Sequence, residues 1–245
     1  MESFKSESLP ENNELPLKIK ESGKLVEAGE STVWKTLVSD PRNQENLVAL
    51  KQVRKEAFAT DSEMKANQEF YNYLKNFPGF GKFVPDTLYF KARISADHPA
   101  QGFRLQKFIE GTPVEKWTDE EIFKDKEVVR QLSEFAEVAM KILKTTREEG
   151  KVKPDFLRTP DFENSSYRVI LGGLAAHPRY SSNIFISKKP NKEGRRVFFV
   201  DTAANADERA GSVMGAVGRY FQSPLQEFQL KMWKKKLEGE LEKDI

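Results

Sequence analysis

The sequence predicts an α+β fold, a β-rich lobe leading into a reduced, mainly α-helical one. Three observations carry this expectation. Before residue 110, short apolar runs rich in β-branched residues alternate with turn chemistry. After residue 113, apolar residues recur mostly at helical spacing. One late pair of apolar runs, 183–189 and 195–201, reads as a hairpin set among helices. The expected organisation is a loose, acidic, proline-broken arm over 1–16, a β-rich lobe over 17–110 and a helical lobe over 111–245.

Each element has a local reason. LVEAGESTVWKTLVSD turns about Ala28-Gly29-Glu30, and LVALKQV (47–53) follows the turn residues Asp40-Pro41-Arg42-Asn43, so two or three antiparallel strands precede residue 55. Thr60-x-x-Glu63 is a capping box opening a helix over 61–76, striped by Met64, Phe70, Leu74 and Phe77 and ended by Pro78-Gly79-Phe80-Gly81. TLYFKARI (87–94) and GFRLQKFI (102–109) form a strand pair connected through Asp97-His98-Pro99. Glu110-Gly111-Thr112-Pro113 breaks that pattern. Thr118-x-x-Glu121 then opens one long helix over 119–147, and 150–168 reads as loop. NIFISKK and RRVFFVD flank Pro190-Asn191-Lys192-Glu193-Gly194 as a hairpin, and helices over 207–221 and 224–242 close the chain.

Composition narrows the chemistry. The 245 residues suffice for a core without disulfides or a structural metal. There is no Cys, and with His only at 98 and 177 neither thiolate nor imidazole metal clusters are expected. Forty basic against 38 acidic residues leave a net charge of +2, with no overall field drawing the chain to nucleic acid or membrane. No apolar run approaches the ~20 residues of a membrane span. MESFKSESLPENNELP lacks the apolar centre of a signal peptide, so a cytoplasmic setting is expected.

Two places invite function. FFVDTA ends an apolar run on Asp201, and antiparallel pairing in the hairpin brings Asn183 near it. One carboxylate and one amide oxygen suit magnesium, which takes oxygen ligands and keeps several waters; alternatively, Asp201 caps the segment that follows. In Val48-Ala49-Leu50-Lys51, a Lys inside an apolar strand must reach a surface or meet an acid, with Glu69 or Glu63 on the next helix as partners. A Lys so held can neutralise phosphate oxygens.

Val48-Ala49-Leu50-Lys51 resembles the V-A-I-K strand of protein kinases, and Glu69 in QEFYNYLK sits where that family's helix supplies the Lys partner. RLQKFIEGTP (104–113) resembles the hinge strand of kinases and of aminoglycoside-phosphotransferase-like enzymes. Asn183-Ile184-Phe185-Ile186 is similar to the metal-binding Asn of the catalytic loop, and Phe199-Val200-Asp201 takes the place of the D-F-G metal ligand. The resemblance covers roughly 19–205. It implies a two-lobed, kinase-like protein binding ATP with magnesium. Lys51 and Glu69 would serve the phosphates, Gln106 to Phe108 the adenine through backbone groups, and Asn183 and Asp201 the metal.

The departures are specific. The family's glycine positions fall on Val26, Ala28 and Ser31, with Val33 on the valine position and Gly29 between. The catalytic-loop aspartate falls on Pro178, or on Gly173 if the loop carries an insertion; LGGLAAHPRYSSN has no acid. His177 is the candidate to accept the hydroxyl proton, or else an ordinary loop residue. Arg179 is a candidate for phosphate charge and Asp207 for a second carboxylate. Only 44 residues follow Asp201, without A-P-E, so a small-molecule acceptor fits better than a protein-docking surface. The expected function is an atypical phosphotransferase acting on a small molecule or protein; the alternative is an inactive pseudokinase acting as a binding module. No G-x-x-x-x-G-K-[ST] or G-x-G-x-x-G occurs, and Gly211-Ser212-Val213-Met214-Gly215 lacks the strand-to-helix setting of a hydrolase elbow. The basic run Lys231 to Lys236 lies on the last helix, as a solvated face or as a partner or membrane surface.

Overall fold

The computed structural model describes residues 18–28, 31–39, 45–53, 60–92, 101–151, 154, 156, 178, 181–202 and 223–243. It divides into two units: residues 1–72 with 85–108, and residues 73–84 with 109–245. The predicted mixture of helix and antiparallel sheet is present, as the α+β class requires.

Unit 1 is built on five antiparallel strands: β1 (Lys18–Ala28), β2 (Ser31–Ser39), β3 (Glu45–Val53), β4 (Thr87–Ala92) and β5 (Gln101–Lys107), in the order β1-β2-β3-β5-β4. Helix α1 (Asp61–Asn76) separates β3 from β4 in sequence. The apolar alternation expected of half-buried strands sets the register. Val48 and Leu50 of β3 face Phe103 and Leu105 of β5 and Phe90 of β4, forming one buried cluster. Within it Phe90 and Phe103 stack with centroids 5.6 Å apart. Helix α1 opens as its sequence dictates, the Glu63 N–H donating to Thr60 Oγ1 at 3.2 Å. Two contacts tie it to β4: the Tyr89 N–H donates to Gln68 Oε1 at 3.0 Å, and Lys91 meets Asp61 at 3.1 Å.

Unit 2 holds a three-stranded antiparallel sheet, β6 (Gly111–Pro113), β7 (Ile184–Ser187) and β8 (Val197–Phe199), with helices α2 (Asp119–Lys124), α3 (Lys126–Glu148) and α4 (Ser223–Glu242). The single helix expected over 119–147 is two. Thr118 completes both halves of its capping box on α2, and the helix stops at Asp125, whose ψ of 89° is not helical. Asp125 then caps α3, its carboxylate accepting from the Val128 N–H at 3.2 Å. An acid suited to capping outweighs the continuous apolar stripe at this point.

Helices α3 and α4 run antiparallel. Lys126, at the start of α3, donates to the Glu240 carbonyl near the end of α4 at 2.7 Å, while Arg147 at the other end pairs with Glu227. Leu230, Trp233 and Leu237 form the buried face of α4. At the centre of the unit, Phe80, Phe83, Phe135, Phe156 and Phe199 are each fully buried, with Phe83–Phe135 centroids at 5.4 Å and Phe156–Phe199 at 5.1 Å. Phe80 and Phe83 explain why residues 73–84 belong here rather than with their sequence neighbours, and the left-handed Gly79 (φ 79°) starts that segment's turn. Strand β6 lies so close to β7 that a Cβ on Gly111 would sit 2.3 Å from the Ile186 carbonyl oxygen. The chain divides after Phe108, with residues 73–84 grouped in the second unit. The expected helix over 207–221, the loop over 157–168 and the 97–99 connection lie outside the described residues.

Phe135→Ala is expected to destabilise the chain by about 3–5 kcal/mol, since it opens a cavity among four other rings. Urea unfolding checks this, with Phe135→Leu expected to lose distinctly less.

Candidate functional site

Within unit 1, pleat and register decide which side chains share a surface. Lys51 pairs with Val33 of β2 and with Arg104 of β5; Ala49 pairs with Lys35 and with Gln106; Arg104 and Gln106 pair in turn with Tyr89 and Thr87 of β4. Directly paired residues point to one side of a sheet, so Lys35, Lys51, Arg104 and Gln106 stand on the face opposite the Leu50–Phe103 cluster. Gln106 is 5 % exposed and donates from Nε2 to Thr87 Oγ1 at 3.0 Å. Phe108 follows the strand, with Lys35 Nζ 4.9 Å from its ring centroid. Three cations and a buried amide therefore line one face.

The acids of α1 sit differently from one another. Glu69 lies on the solvent side, its side chain 67 % exposed and 4.0 Å from Lys65. Glu63 lies on the buried stripe with Met64, Asn67 and Phe70 and is 9 % exposed. Tyr71 also belongs to that stripe; burial pushes its hydroxyl up to about 12, against the lowering effect of the Thr87 backbone.

In unit 2, the hairpin expected over 183–201 forms, and it carries Asn183 and Asp201 to the same end. Ile184 pairs with Phe199, and the Val200 N–H donates to the Asn183 carbonyl at 2.9 Å, so Asn183 stands across from the residue preceding Asp201. Both side chains are partly exposed. Their oxygens are hard donors of the kind magnesium takes, two of them leaving room for waters. Among the described residues no group of three or more His, Cys, Asp or Glu could hold a metal. Pro178, where the catalytic-loop aspartate would fall, is buried, its carbonyl accepting the Ser181 N–H at 3.0 Å. His177, Arg179 and Asp207 lie outside the described residues, as does Gly29.

The hairpin is held from behind by α3. Gln131 is 2 % exposed; its Oε1 accepts the Arg196 N–H at 2.8 Å and the Val197 N–H at 3.2 Å, and its Nε2 donates to the Gly194 carbonyl at 2.8 Å. Arg196 pairs with Asp125, and Arg195 with Glu134 at 2.7 Å, while Lys82 also pairs with Glu134. Burial pushes the Glu134 carboxyl up, but hydrogen bonds and charge from Lys82 and Arg195 outweigh it and hold the group below the ordinary 4.5. Sequence reasoning missed Gln131, Lys35 and Arg104. The strand alternation of GFRLQKFI already contained the signal for Arg104, because it puts that residue on the side away from Phe103 and Leu105.

No family model matches the chain, and no curated protein matches it. No helix among the described residues is long and apolar enough to cross a membrane.

Two outcomes test this framework. Gln131→Leu leaves buried peptide N–H groups without their acceptor and is expected to cost about 1–3 kcal/mol in urea unfolding. Glu134 is ionised in the folded chain to lower pH than in the unfolded one, so its contribution is complete above the unfolded value and fades as pH falls through the folded value. Glu134→Gln is therefore expected to flatten the loss of stability below pH 4.5 and leave the pH dependence around neutrality unchanged, as read from unfolding midpoints against pH.

Proposed function

We propose that the chain is a kinase-like protein that binds ATP and magnesium. The observation that carries the reading is the cationic face of the unit 1 sheet, where Lys51 of the Val48-Ala49-Leu50-Lys51 strand stands directly across from Arg104 with Lys35 close by. V-A-I-K gains weight as a motif when its Lys lies on the third strand and an acid-bearing helix follows; here Lys51 lies on β3 and α1 comes next. The strand's Lys would draw in the α- and β-phosphates, with backbone groups of Gln106 to Phe108 against the base. The acid we assign to Lys51 is Glu63 rather than Glu69, because only Glu63 faces the interior of the fold.

The metal half is assigned by itself within unit 2. Asn183 and Asp201 would hold magnesium at the open end of the hairpin, and the ion would neutralise charge on phosphate oxygens. Gln131 does not meet the ion; it fixes the strand on which Asp201 follows.

As to turnover, the buried Pro178 and the absent glycines favour the second reading, a pseudokinase that binds nucleotide and works as a regulatory or binding module. Phosphoryl transfer depends chiefly on positioning and charge, so the loss of a base weakens transfer without abolishing binding.

ATP with magnesium is expected to raise the melting temperature, because a ligand that binds only the folded form stabilises it. Lys51→Ala and Asp201→Ala are each expected to weaken ATP affinity about tenfold or more, the scale of one charge-assisted contact. Glu63→Gln is expected to weaken it and Glu69→Gln to leave it unchanged, by titration calorimetry. Unaltered affinity in both Lys51→Ala and Asp201→Ala ends the nucleotide reading. Radiolabelled ATP with cell extract then separates the two forms of it: a labelled product marks a transferase, and none marks the pseudokinase.

A further inference from the structure

The largest exposed apolar side chains among the described residues are neighbours. Phe228 is 57 % exposed and Met232 49 % exposed, one helical turn apart on α4, with the half-buried Leu225 continuing the same ridge. The helix cannot turn them inward. Its opposite face carries Leu230, Trp233 and Leu237 into the core of unit 2, and Lys126 and Arg147 fasten its two ends to α3. Unit 2 thus presents an apolar ridge on a rigid, anchored helix.

The charges beside the ridge select its partner. Lys231 and Lys235 are exposed and flank Phe228 and Met232, and neither takes part in an ion pair among the described residues. The other lysines of the run differ: Lys234 is engaged by Glu137 and Glu238, and Lys236 by Asp119 at 2.6 Å. Two apolar side chains that protrude, rather than line a recess, suit a surface that yields to them. Two ammonium groups beside them, without an ion pair among the described residues, suit a surface that is anionic. An interfacial helix face of aromatic and aliphatic residues edged by lysines meets both conditions at the headgroup layer of a bilayer.

We propose that α4 docks the chain on anionic phospholipid, Phe228 and Met232 entering the headgroup region and Lys231 and Lys235 meeting lipid phosphates and carboxylates. The contact is weak and reversible, since it uses two inserted side chains and two charges and the rest of the helix stays packed in unit 2. It is independent of nucleotide binding.

The test is co-sedimentation of the full chain with vesicles of phosphatidylcholine alone and of phosphatidylcholine containing about 30 % phosphatidylserine, at low and high salt. Binding is expected only to the phosphatidylserine vesicles and only at low salt. Lys231→Glu with Lys235→Glu is expected to reduce it about tenfold or more, from roughly fivefold per lysine. Phe228→Ser with Met232→Ser is expected to reduce it comparably. Because all four residues are exposed, both double variants are expected to melt as the wild type does. No sedimentation with either vesicle, equal binding to both vesicles, or variants that bind like the wild type would overturn the proposal. So would binding to polyglutamate in the absence of any vesicle binding, which assigns the ridge to an acidic protein partner instead.

Discussion

A buried peptide group must find a hydrogen-bond partner, and at the start of β8 that requirement falls on one side chain. Strand β8 is the last in the order β6-β7-β8, so among the described residues its far edge has no neighbouring strand. Gln131 meets that edge from α3, its amide oxygen taking two successive N–H groups and its amide nitrogen reaching the turn. A carboxamide does this without bringing charge into the core, which a Glu at the same place would do. The remaining ties at this end, Arg196 with Asp125 and Arg195 with Glu134, are partly exposed and screened, and they add direction more than strength. The position of Asp201 follows from this arrangement.

Much of the fold was legible because it is written in periods. The alternation of LVALKQV and GFRLQKFI fixed which residues of β3 and β5 face the core, and the Thr60 cap and the Thr118 capping box opened helices where they stand. Sequence reading failed where one residue serves two roles. Asp125 interrupts an apolar stripe that continues on both sides, and only its capping geometry reveals the break. Nor does local pattern say that residues 73–84 pack with a part of the chain that follows much later. Phe80 reads only as part of the Pro78–Gly81 stretch that ends a helix, and the partners of Phe80 and Phe83, among them Phe135, are non-local.

The candidate site was legible in part for the same reason. Asn183 and Asp201 are joined by hairpin register, which the sequence encodes through its turn and its two apolar runs. Lys51 was visible as a charge in an apolar strand. The cationic row with Lys35 and Arg104 was not, because it arises from pairing across three strands. The choice between Glu63 and Glu69 turns on helical phase: counting along α1 from Met64 and Phe70 puts Glu63 with the buried residues and Glu69 opposite them.

The discontinuity of unit 2 has a consequence for synthesis. A ribosome releases Phe80 and Phe83 well before Phe135, and both rings must wait for a later helix before water can be excluded from them. The nascent chain therefore carries a pair of sticky aromatics through an interval in which β4 and β5 emerge and complete the five-stranded sheet of unit 1. A fragment that began after Phe108 would lack two of the five rings at its centre, so the second unit is a folding unit only in the presence of a segment encoded inside the first.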